Sequence, residues 1–418
     1  SATEIAGPGF INITFSNSFL ASELAVAAAD TRLGVRLSPA PEVVDIDYSA
    51  PNVAKEMHVG HLRSTVIGDA LVRMLEFVGH RVIRENHIGD WGTPFGMLIE
   101  HLIDLGEAEA ANELSVGDLD SFYRQARTKF DASDEFKERA RARVVLLQGG
   151  DDETLRMWKL LVGESTRYFD RVYRVLDVLL TSDDIMGESA YNHLLPEVVE
   201  RLKKSGMLQT SDGAEVVFVD GFVNRDNEPL PLIIRKTDGG YNYATSDLAC
   251  VIDRVERLGA TRILYVVGAP QAQHLEMVGV VSRKAGWVPE TTQMVHVAFG
   301  NVLGNDRKIL KSRSGEVVKL DALLTEAVER AGTSVREKNT ELSVEQQSEI
   351  ARQVGIGAIK YADLSTDRIK DYVFDWERML SFDGNTSPYL QYAHARICSI
   401  FRKAQIERQS VRSVTPTL

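Results

Sequence analysis

The feature that most constrains the fold of this chain is a strand, a glycine-containing turn, a helix and a second strand within residues 43–86. Residues 43–48 and 81–86 are predicted to form the two strands. Between them, apolar residues spaced three and four apart predict a helix that begins at about His61 and ends at Gly79. This order is typical of a right-handed βαβ unit, and it therefore predicts a parallel sheet.

Helices and strands alternate again in the second half of the chain. A helix from Asp247 to Gly259 is followed by a strand at 263–267, and a helix that ends at Gly286 is followed by a strand at 294–299. About 160 residues separate the two halves. We therefore expect one nucleotide-binding sheet that is interrupted by a mostly helical insertion.

Composition narrows the class of protein. The net charge of −12 argues against nonspecific nucleic-acid binding through overall charge, but it permits a local basic path. The C-terminal end from Arg396 to Arg412 is one such path, although a solvated helix face fits the same charges. The two cysteines, Cys250 and Cys398, are too few for a disulfide framework. Without a long apolar run or an export leader, a cytoplasmic location is expected, with no membrane.

The turn His58-Val59-Gly60-His61, called here the HVGH turn, is the candidate phosphate site. The chain has no Gly-x-Gly-x-x-Gly motif and no P-loop. The N–H groups of a first helical turn attract anions, glycine permits close approach, and imidazoles can donate hydrogen bonds to phosphate. Two alternatives stay open. The histidines at the helix start can simply cap the helix or pack against it, or they can bind zinc, although His-x-x-His is a poor zinc spacing.

Two basic segments accompany this turn. Lys55 lies three residues before His58, where its ammonium can neutralise charge that develops on a reacting phosphorus. The second basic loop, residues 307–315, contains Lys311 and Ser312 and follows the later βαβ unit. The alternative for Lys55 is a solvated side chain, and the alternative for the second basic loop is a flexible, non-catalytic one.

Acidic and polar side chains follow the predicted parallel strands: Asp47, Asn52, Tyr243, Asp247 and Gln271. The carboxyl ends of such strands are where α/β sheets bind ligands. Two carboxylates and a phenol at this edge suit a planar guanidinium. Taken singly, each residue also fits a helix cap or a surface acid, and Asp247 in particular fits an N-cap.

The HVGH turn resembles the first signature of the class I aminoacyl-tRNA synthetases. The longer run from Asp47 to Thr65 is similar to the arginine-specific branch of bacterial type, the arginyl-tRNA synthetases. Residues 86–93, 243–247 and 389–396 are also similar to this branch and occur in the family's order. The resemblance extends from about residue 43 to 405.

The resemblance implies an α/β fold, a class I synthetase Rossmann-like parallel sheet with a mostly helical insertion and a helical C-terminal region. The implied segments are 1–41, a remnant of an N-terminal additional domain; 42–105, the first half of the nucleotide-binding catalytic domain; 106–235, the insertion; 236–342, the second half with the signature loop; 343–385, a helical connecting region; and 386–418, the start of a helical anticodon-binding domain. A chain of 418 residues has room for several such cores.

The implied activity joins L-arginine to tRNA. The arginine carboxylate attacks the α-phosphorus of ATP, and the resulting arginyl-adenylate is transferred to the 3′-terminal adenosine of the tRNA for arginine. Family position assigns ATP to His58, Gly60, His61, Lys311 and Ser312; catalysis to His58, His61, Lys55 and Lys311; arginine to Asp47, Asn52, Tyr243, Asp247 and Gln271; and tRNA to Tyr389, Tyr392 and Arg396. Mg²⁺ is expected on the phosphate oxygens rather than on protein ligands, and the protein is expected to be a monomer.

Two departures from the family pattern are visible in the sequence. The second signature is degenerate, reading Leu310-Lys311-Ser312-Arg313-Ser314, and Lys55 is expected to compensate for it. The chain also looks truncated at both ends. A non-catalytic or truncated paralogue that binds only tRNA or arginine is therefore an alternative, as is a nucleotidyltransferase that adenylates a small acid without tRNA.

Overall fold

The computed structural model describes residues 2–106, 119–224, 226–311, 317–338, 341–407 and 410, with every side chain in these ranges except those of Thr93 and Lys338. Within these ranges the strands are β1 (Ala2–Ala6), β2 (Phe10–Thr14), β3 (Val43–Asp47), β4 (Arg81–Glu85), β5 (Gln209–Ser211), β6 (Ala214–Val223), β7 (Pro229–Arg235), β8 (Arg262–Tyr265), β9 (Gln293–His296), β10 (Val302–Leu303) and β11 (Tyr372–Val373).

Within the same ranges the α-helices are α1 (Asn17–Ala29), α2 (Val59–Phe77), α3 (Thr93–Leu105), α4 (Leu119–Ala132), α5 (Asp134–Gln148), α6 (Asp152–Leu176), α7 (Leu195–Lys204), α8 (Tyr243–Glu256), α9 (Ala272–Lys284), α10 (Leu320–Lys338), α11 (Val344–Leu364), α12 (Trp376–Met379) and α13 (Ser387–Ala404). None of these helices is both long and apolar enough to cross a membrane.

The central sheet has four parallel strands in the order β4-β3-β8-β9. Its middle strand β3 pairs with β4 on one side and with β8 on the other, so Asp47 lies between Glu85 and Tyr265. The first two strands come from one half of the chain and the last two from the other. The predicted sheet with an interruption is therefore confirmed, and its carboxyl ends share one edge.

Helix α2 covers this sheet and positions the HVGH turn. Its apolar side chains Leu62 and Val66 are buried, as are Val44 and Ile46 of β3. Burying one such side chain contributes ~1.5–3 kcal/mol. The helix begins at Val59, two residues before the predicted start, because the side chain of the preceding histidine caps it.

Helix α8 begins earlier than the sequence indicated. It starts at Tyr243, and Asn242 is its N-cap, with a side-chain oxygen that accepts from the Tyr243 N–H at 3.0 Å. The interpretation of Asp247 as a cap is therefore wrong. Asp247 lies one turn inside the helix, so its carboxylate does not cap the helix start.

The segment between the two halves of the sheet is helical, with one small antiparallel sheet. Helices α4 to α7 precede the sheet β5-β6-β7. Helix α6 is amphipathic over 25 residues, and its buried face includes Ser165, Tyr168 and Tyr173. These three side chains reach the loop that follows β3, so the insertion helps to build the site.

The C-terminal helices pack back onto α2 through a buried ion pair. Arg63 of α2 and Asp363 of α11 lie 3.2 Å apart, and both are almost fully buried. The Arg63 guanidinium also donates to the carbonyl oxygens of Gly300 and Lys370 at 2.8 and 3.0 Å. This contact fixes α11 relative to the sheet, and Thr386 then caps α13. The segment boundaries drawn from the sequence stay a prediction.

Candidate active site

The HVGH turn closes on itself through its two histidines. Gly60 N–H donates to Nδ1 of His58, and His58 N–H donates to Nδ1 of His61, each at 3.0 Å. The two rings lie 4.0 Å apart between centroids. A side chain at Gly60 would place its Cβ 2.7 Å from the His58 ring, so only glycine lets the ring fold back in this way.

The backbone donors expected to hold a phosphate are already engaged. Val59 N–H donates to the Val318 carbonyl at 3.0 Å and His61 N–H to the His58 carbonyl at 2.8 Å, while the Gly60 N–H is bound by His58. The prediction of an anion site made by free N–H groups is therefore wrong for these three residues. Any phosphate bound at this turn would therefore have to be held by side-chain donors.

The imidazoles supply those donors. Since Nδ1 of each ring accepts a backbone hydrogen bond, a neutral ring carries its proton on Nε2. Burial lowers the pKa of both histidines, and that of His61 falls to about 3. His58 and His61 therefore present neutral Nε2–H donors at neutral pH, which can bind phosphate oxygens without adding a fixed charge.

The loop between β3 and the HVGH turn is strained and held by hydrogen bonds. Ser49, Ala50 and Ala54 have φ values of 72°, 46° and 57°, in the left-handed region. Such conformations cost of order ~1–3 kcal/mol each and persist when their surroundings determine them. Here Ser49 N–H donates to Ser64 Oγ at 2.8 Å, and Ala54 N–H donates to Ser165 Oγ at 2.9 Å.

Lys55 follows this strained backbone. Its ammonium lies 4.3 Å from the centre of the Tyr123 ring, contributed by α4. The positive charge of Lys55 is one of the causes that lower the pKa of His58, after burial. The Lys55 ammonium is therefore near His58 of the HVGH turn, and the role of both in a phosphate site stays a prediction.

The second basic loop leaves the sheet and returns to the HVGH turn. Lys311 is exposed and pairs with Val317 in an isolated antiparallel bridge, while Lys319 pairs in the same way with His58. Leu320 N–H then donates to the Met57 carbonyl at 2.8 Å. Ser312 and the remainder of this loop lie outside the described residues. The segment that follows the loop, at Lys319 and Leu320, is thus bonded to the HVGH turn, whereas Lys311 lies before the undescribed residues.

Asp47 is brought to the sheet edge, but one of its oxygens is taken. Arg254 Nη2 donates to Asp47 Oδ2 at 2.8 Å, and Arg254 Nε lies 2.7 Å from Glu85 and 3.1 Å from Asp45. All four side chains are buried. Burial raises the pKa of Asp45 well above its usual range against the opposing effect of Arg254. Asp47 Oδ1 is buried and has no hydrogen-bond partner among the described residues.

Sequence reasoning missed Arg254 entirely. The signal was present in β3, where Asp45 and Asp47 interrupt an apolar strand. Buried carboxylates in a central strand require a compensating cation or hydrogen bonds. A buried arginine on the helix packed over that strand satisfies this requirement.

Tyr243 and Asp247 share one face of α8 and meet side chains from two other elements. Asp247 Oδ2 lies 2.5 Å from His274 Nε2, and the Tyr243 ring packs on His274 at 4.9 Å between centroids. On the other side, Asp247 Oδ1 lies 4.0 Å from His87 Nε2, just beyond β4. His87 and His274 are further site residues that the residue pattern did not single out.

Glu188 completes this group from the insertion. It begins a 3₁₀ helix, Glu188–Leu194, and burial raises its pKa to about 7, with Asp247 and Asp90 acting in the same direction and His87 against them. We call the set Asp47, His87, Glu188, Tyr243 and Asp247 the acidic pocket. Its carboxylates lie beside a half-exposed tyrosine ring, a lining suited to a cationic ligand.

Asn52 and Gln271 are exposed and follow strands β3 and β8. Asn52 forms a parallel bridge with Gly89, where a Cβ would approach its Oδ1 to 2.3 Å. Gln271 is the exposed N-cap residue of α9. Neither side chain makes a hydrogen bond within the described part of the chain, so the structure places both near strand ends without tying them to the acidic pocket.

The donors that can hold a metal are His87, Asp247 and Cys250. Their ligand atoms lie within 4.8 Å of one another. However, although burial opposes it, the neighbouring Cys250, Asp47 and Asp247 raise the pKa of His87 well above its usual range, and burial raises the pKa of the Cys250 thiol. A neutral thiol is a weak ligand. A cationic substrate group therefore fits this place better than a metal ion.

The predicted tRNA residues form one exposed face of α13. Tyr389 and Tyr392 are about half exposed. Arg396 Nη1 donates to the Tyr392 hydroxyl at 3.2 Å, and its guanidinium lies 5.6 Å from the Tyr392 ring centre. Aromatic rings and a guanidinium on one open face are suited to stacking on nucleic-acid bases.

Comparisons with known proteins identify the family of the chain. The family model for tRNA synthetases class I (R), catalytic domain, matches residues 24–376. The arginine–tRNA ligase of Thermobifida fusca is 56% identical over 411 residues, which are 98% of this chain and 71% of that protein. The arginine–tRNA ligase of Photorhabdus laumondii is 51% identical over 412 residues, with the same coverage of both chains.

Two solved structures share the fold. The arginyl-tRNA synthetase of Plasmodium falciparum superposes with a TM-score of 0.81 at 30% identity and covers 99% of this chain and 69% of its own. The Thermus thermophilus arginyl-tRNA synthetase superposes with a TM-score of 0.73 at 24% identity over 96% of this chain and 71% of its own. Because the family model covers most of the chain and the relatives match nearly all of it, the chain belongs to the arginyl (R) family of class I tRNA synthetases.

Proposed function

We propose that the chain is an arginine–tRNA ligase that consumes ATP in two steps. First, an arginine carboxylate oxygen bonds to the α-phosphorus of ATP while the bond to pyrophosphate breaks, giving arginyl-adenylate. Then the 2′-hydroxyl of the 3′-terminal adenosine of the tRNA for arginine takes the arginyl group, and AMP leaves. The observation that carries the proposal is the likeness, over 98% of the chain, to proteins named arginine–tRNA ligase.

The HVGH turn is proposed to bind the ATP phosphates. His58 and His61 offer neutral Nε2–H groups on adjacent rings, and Gly60 leaves space beside them. Donors that are already oriented cost no reorganisation when charge moves during the reaction. Their low pKa values keep them neutral across the physiological range, so their contribution stays constant with pH.

Two lysines are proposed to balance the charge that develops on the phosphorus and on the departing pyrophosphate. Lys55 approaches from the strained loop, and Lys311 approaches from the second basic loop. Lys55 is held by a ring and by a bonded backbone, whereas Lys311 is exposed. We therefore assign the larger part of the stabilisation to Lys55. Ser312 is proposed to assist ATP binding from the same loop.

The acidic pocket is proposed to hold the arginine guanidinium. Asp247 accepts its N–H groups and Tyr243 covers its face, while the buried Asp47 and Glu188 contribute negative charge nearby. Asn52 and Gln271 are proposed to hold the amino and carboxylate end, because they follow the strands at the rim. In this orientation the carboxylate points from the pocket towards the HVGH turn.

This pocket explains selectivity without proofreading. A substrate that lacks the guanidinium leaves Asp247 without the charged donor it is proposed to bind, and losing one partner of such a charge pair costs ~2–5 kcal/mol. Sites that hydrogen-bond their substrate reject analogues by ~10⁴-fold without editing. Citrulline and lysine should therefore be rejected at the activation step, and the insertion should contain no hydrolytic site.

Magnesium is proposed to enter with ATP. Near the HVGH turn, Glu56 Oε2 is 2.5 Å from the Lys319 ammonium, and Asp120 accepts from the Glu56 N–H. These carboxylates are engaged and do not form an oxygen cage, which fits an ion carried by phosphate oxygens. When bound, Mg²⁺ would neutralise phosphate charge. A cytoplasmic location and a monomeric state stay predictions.

Aminoacylation of purified tRNA for arginine with labelled arginine tests the proposal. We expect arginyl-tRNA that depends on ATP and is not formed with lysine or citrulline. Charging by lysine at a comparable rate would contradict the pocket assignment. Rapid deacylation of a tRNA mischarged with another amino acid would contradict the absence of proofreading. Loss of charging in Arg396→Ala, with adenylation retained, would support the tRNA face.

A further inference from the structure

We propose that Tyr123, on helix α4 of the insertion, is a positioning residue that holds Lys55 for the adenylation step. The proposal rests on the proposed role of Lys55. The Lys55 ammonium lies 4.3 Å from the centre of the Tyr123 ring, and both side chains are half-buried. An aromatic ring attracts a cation placed over its face. A lysine side chain is otherwise flexible, so this contact restricts where the ammonium stands.

The first turn of α4 also holds the backbone next to Lys55. Asp120 Oδ1 accepts a hydrogen bond from the Glu56 N–H at 3.0 Å. The Lys319 ammonium lies 2.5 Å from Glu56 and 4.0 Å from Asp120. The ring of Tyr123 and the carboxylate of Asp120 thus contact consecutive residues of one segment. Helix α4 therefore contacts this segment through two residues, and the Lys55–Tyr123 contact is not an isolated pair of surface side chains.

The restrained ammonium lies near the HVGH turn. Burial is the main cause that lowers the pKa of His58, and the charges of Asp120 and Lys55 act on the same imidazole in opposite directions. The imidazole, the carboxylate and the ammonium are therefore close in space. A cation directed by Tyr123 towards this turn stands beside the proposed phosphate site.

A second insertion helix holds the same segment from another side. Ser165 Oγ of α6 accepts from the Ala54 N–H at 2.9 Å, and the Tyr168 hydroxyl accepts from the Met57 N–H at 3.2 Å. Both side chains are buried. The backbone of residues 54–57 is therefore fixed independently of Tyr123. Removing the ring should leave this backbone in place and free only the Lys55 side chain.

The test is arginine-dependent exchange of labelled pyrophosphate into ATP, measured on the 418-residue chain with the tRNA for arginine present. We expect Tyr123→Leu to lower the maximal exchange rate about 5-fold, in line with a partly buried cation–ring contact. The KM for arginine should not change. Tyr123→Phe keeps the ring face and should stay within about twofold of the unaltered chain.

A matched control lies on the same helix. Phe130 contacts the Arg127 guanidinium, with 5.7 Å to the ring centre, away from Lys55. Phe130→Leu makes a similar change in α4 and should leave the exchange rate unaltered. An equal loss in Phe130→Leu and Tyr123→Leu, or an equal loss in Tyr123→Phe, would overturn the proposal, because the effect would then not depend on the ring over Lys55.

The decisive arm combines Tyr123→Leu with Lys55→Ala. If Tyr123 acts through Lys55, the double variant exchanges at the rate of Lys55→Ala alone. A further loss of about 5-fold in the double variant would overturn the positioning role, as would a Tyr123→Leu rate at or above that of the unaltered chain.

Failure of the proposed function is recognised separately. If Lys55→Ala exchanges like the unaltered chain, the catalytic assignment of Lys55 is wrong. The Lys55–Tyr123 contact is then tested by measuring, with mass spectrometry, how fast acetic anhydride labels Lys55. Faster labelling in Tyr123→Leu but not in Phe130→Leu supports the restraint by Tyr123, whereas unchanged labelling overturns it.

Discussion

The HVGH turn and the acidic pocket lie at one edge of the same sheet, yet they are built in opposite ways. The turn is closed by hydrogen bonds between residues two or three apart, and its histidines are neutral. The pocket draws Asp47, Glu188 and Asp247 from segments far apart in the chain. The difference teaches that the turn depends on local geometry, whereas the pocket depends on tertiary packing and charge balance.

The buried network below the pocket should show the largest effect. Arg254→Met leaves Asp47 and its buried acidic neighbours without their cation, and breaking a buried pair costs ~3–5 kcal/mol. The free energy of unfolding, measured in urea, should fall by about that amount. Arg201→Met is the control, because Arg201 makes more exposed pairs with Glu197 and Glu256, worth under ~1 kcal/mol. Equal losses would show that Arg254 does not anchor the pocket.

The next effect concerns arginine affinity. Asp247→Asn removes the charge proposed to pair with the guanidinium and should raise the KM for arginine about 10²- to 10³-fold. The KM for ATP should stay within about twofold, because the turn that holds the phosphates is separate. Glu256→Gln is the control on the same helix, since Glu256 pairs at the surface with Arg201. If Asp247→Asn raised the KM for ATP more than the KM for arginine, the assignment of arginine to the acidic pocket would be wrong.

The two lysines should differ in their effect on rate. Lys55→Ala should lower the adenylation rate about 10²-fold, the range for removing one preorganised donor of charge stabilisation. Lys311→Ala should lower it by about 10-fold or less, because Lys311 is exposed on a loop. Single-turnover formation of arginyl-adenylate measures both. Equal losses, or a larger loss for Lys311→Ala, would contradict the assignment of Lys55 as the main cation.

The smallest effect is a pH dependence of arginine binding. The pKa of Glu188 is raised to about 7, so this carboxyl is neutral below that pH and ionised above it. Arginine affinity should therefore rise a few-fold between about pH 6 and 8. The charges of His87, Asp247 and Asp90 also act on Glu188, and loss of a proton from His87 would favour arginine binding in the same direction.

Glu188→Gln separates the two contributions. It should flatten the pH dependence of arginine binding, measured by titration calorimetry, and lower the affinity a few-fold at pH 8. A pH profile identical to that of the unaltered chain would show that Glu188 does not face the guanidinium.

Much of the sheet was predictable from sequence because its signals are local. Apolar periodicity and the stop at Gly79 predicted β3, α2 and β4 to within a few residues. The HVGH turn could be placed because a strand precedes it and a helix follows it. The hydrogen-bonding state of the turn was not predictable, since the Val318 carbonyl that binds Val59 comes from a distant segment.

The acidic pocket was only partly predictable, for the same reason. Residues at strand ends are expected to converge, which identified Asp47 and Asp247. Arg254, Glu188 and Tyr123 lie within helical segments of the second half and the insertion, where periodicity alone gives them ordinary surface or core positions. For Glu188 and Tyr123, the approach to the sheet depends on how the insertion packs, which no local pattern encodes. For Arg254, the two acids in β3 predict only that some cation must compensate them.

Arginine-dependent pyrophosphate exchange tests the separation between the two regions most directly. It is measured on the unaltered chain, Asp247→Asn and Lys55→Ala, with tRNA for arginine present. We predict that Asp247→Asn raises the KM for arginine while Lys55→Ala lowers the maximal rate at unchanged KM. If both variants change the same kinetic parameter, or if the unaltered chain shows no exchange with arginine, the division into a guanidinium pocket and a phosphate-activating turn is wrong.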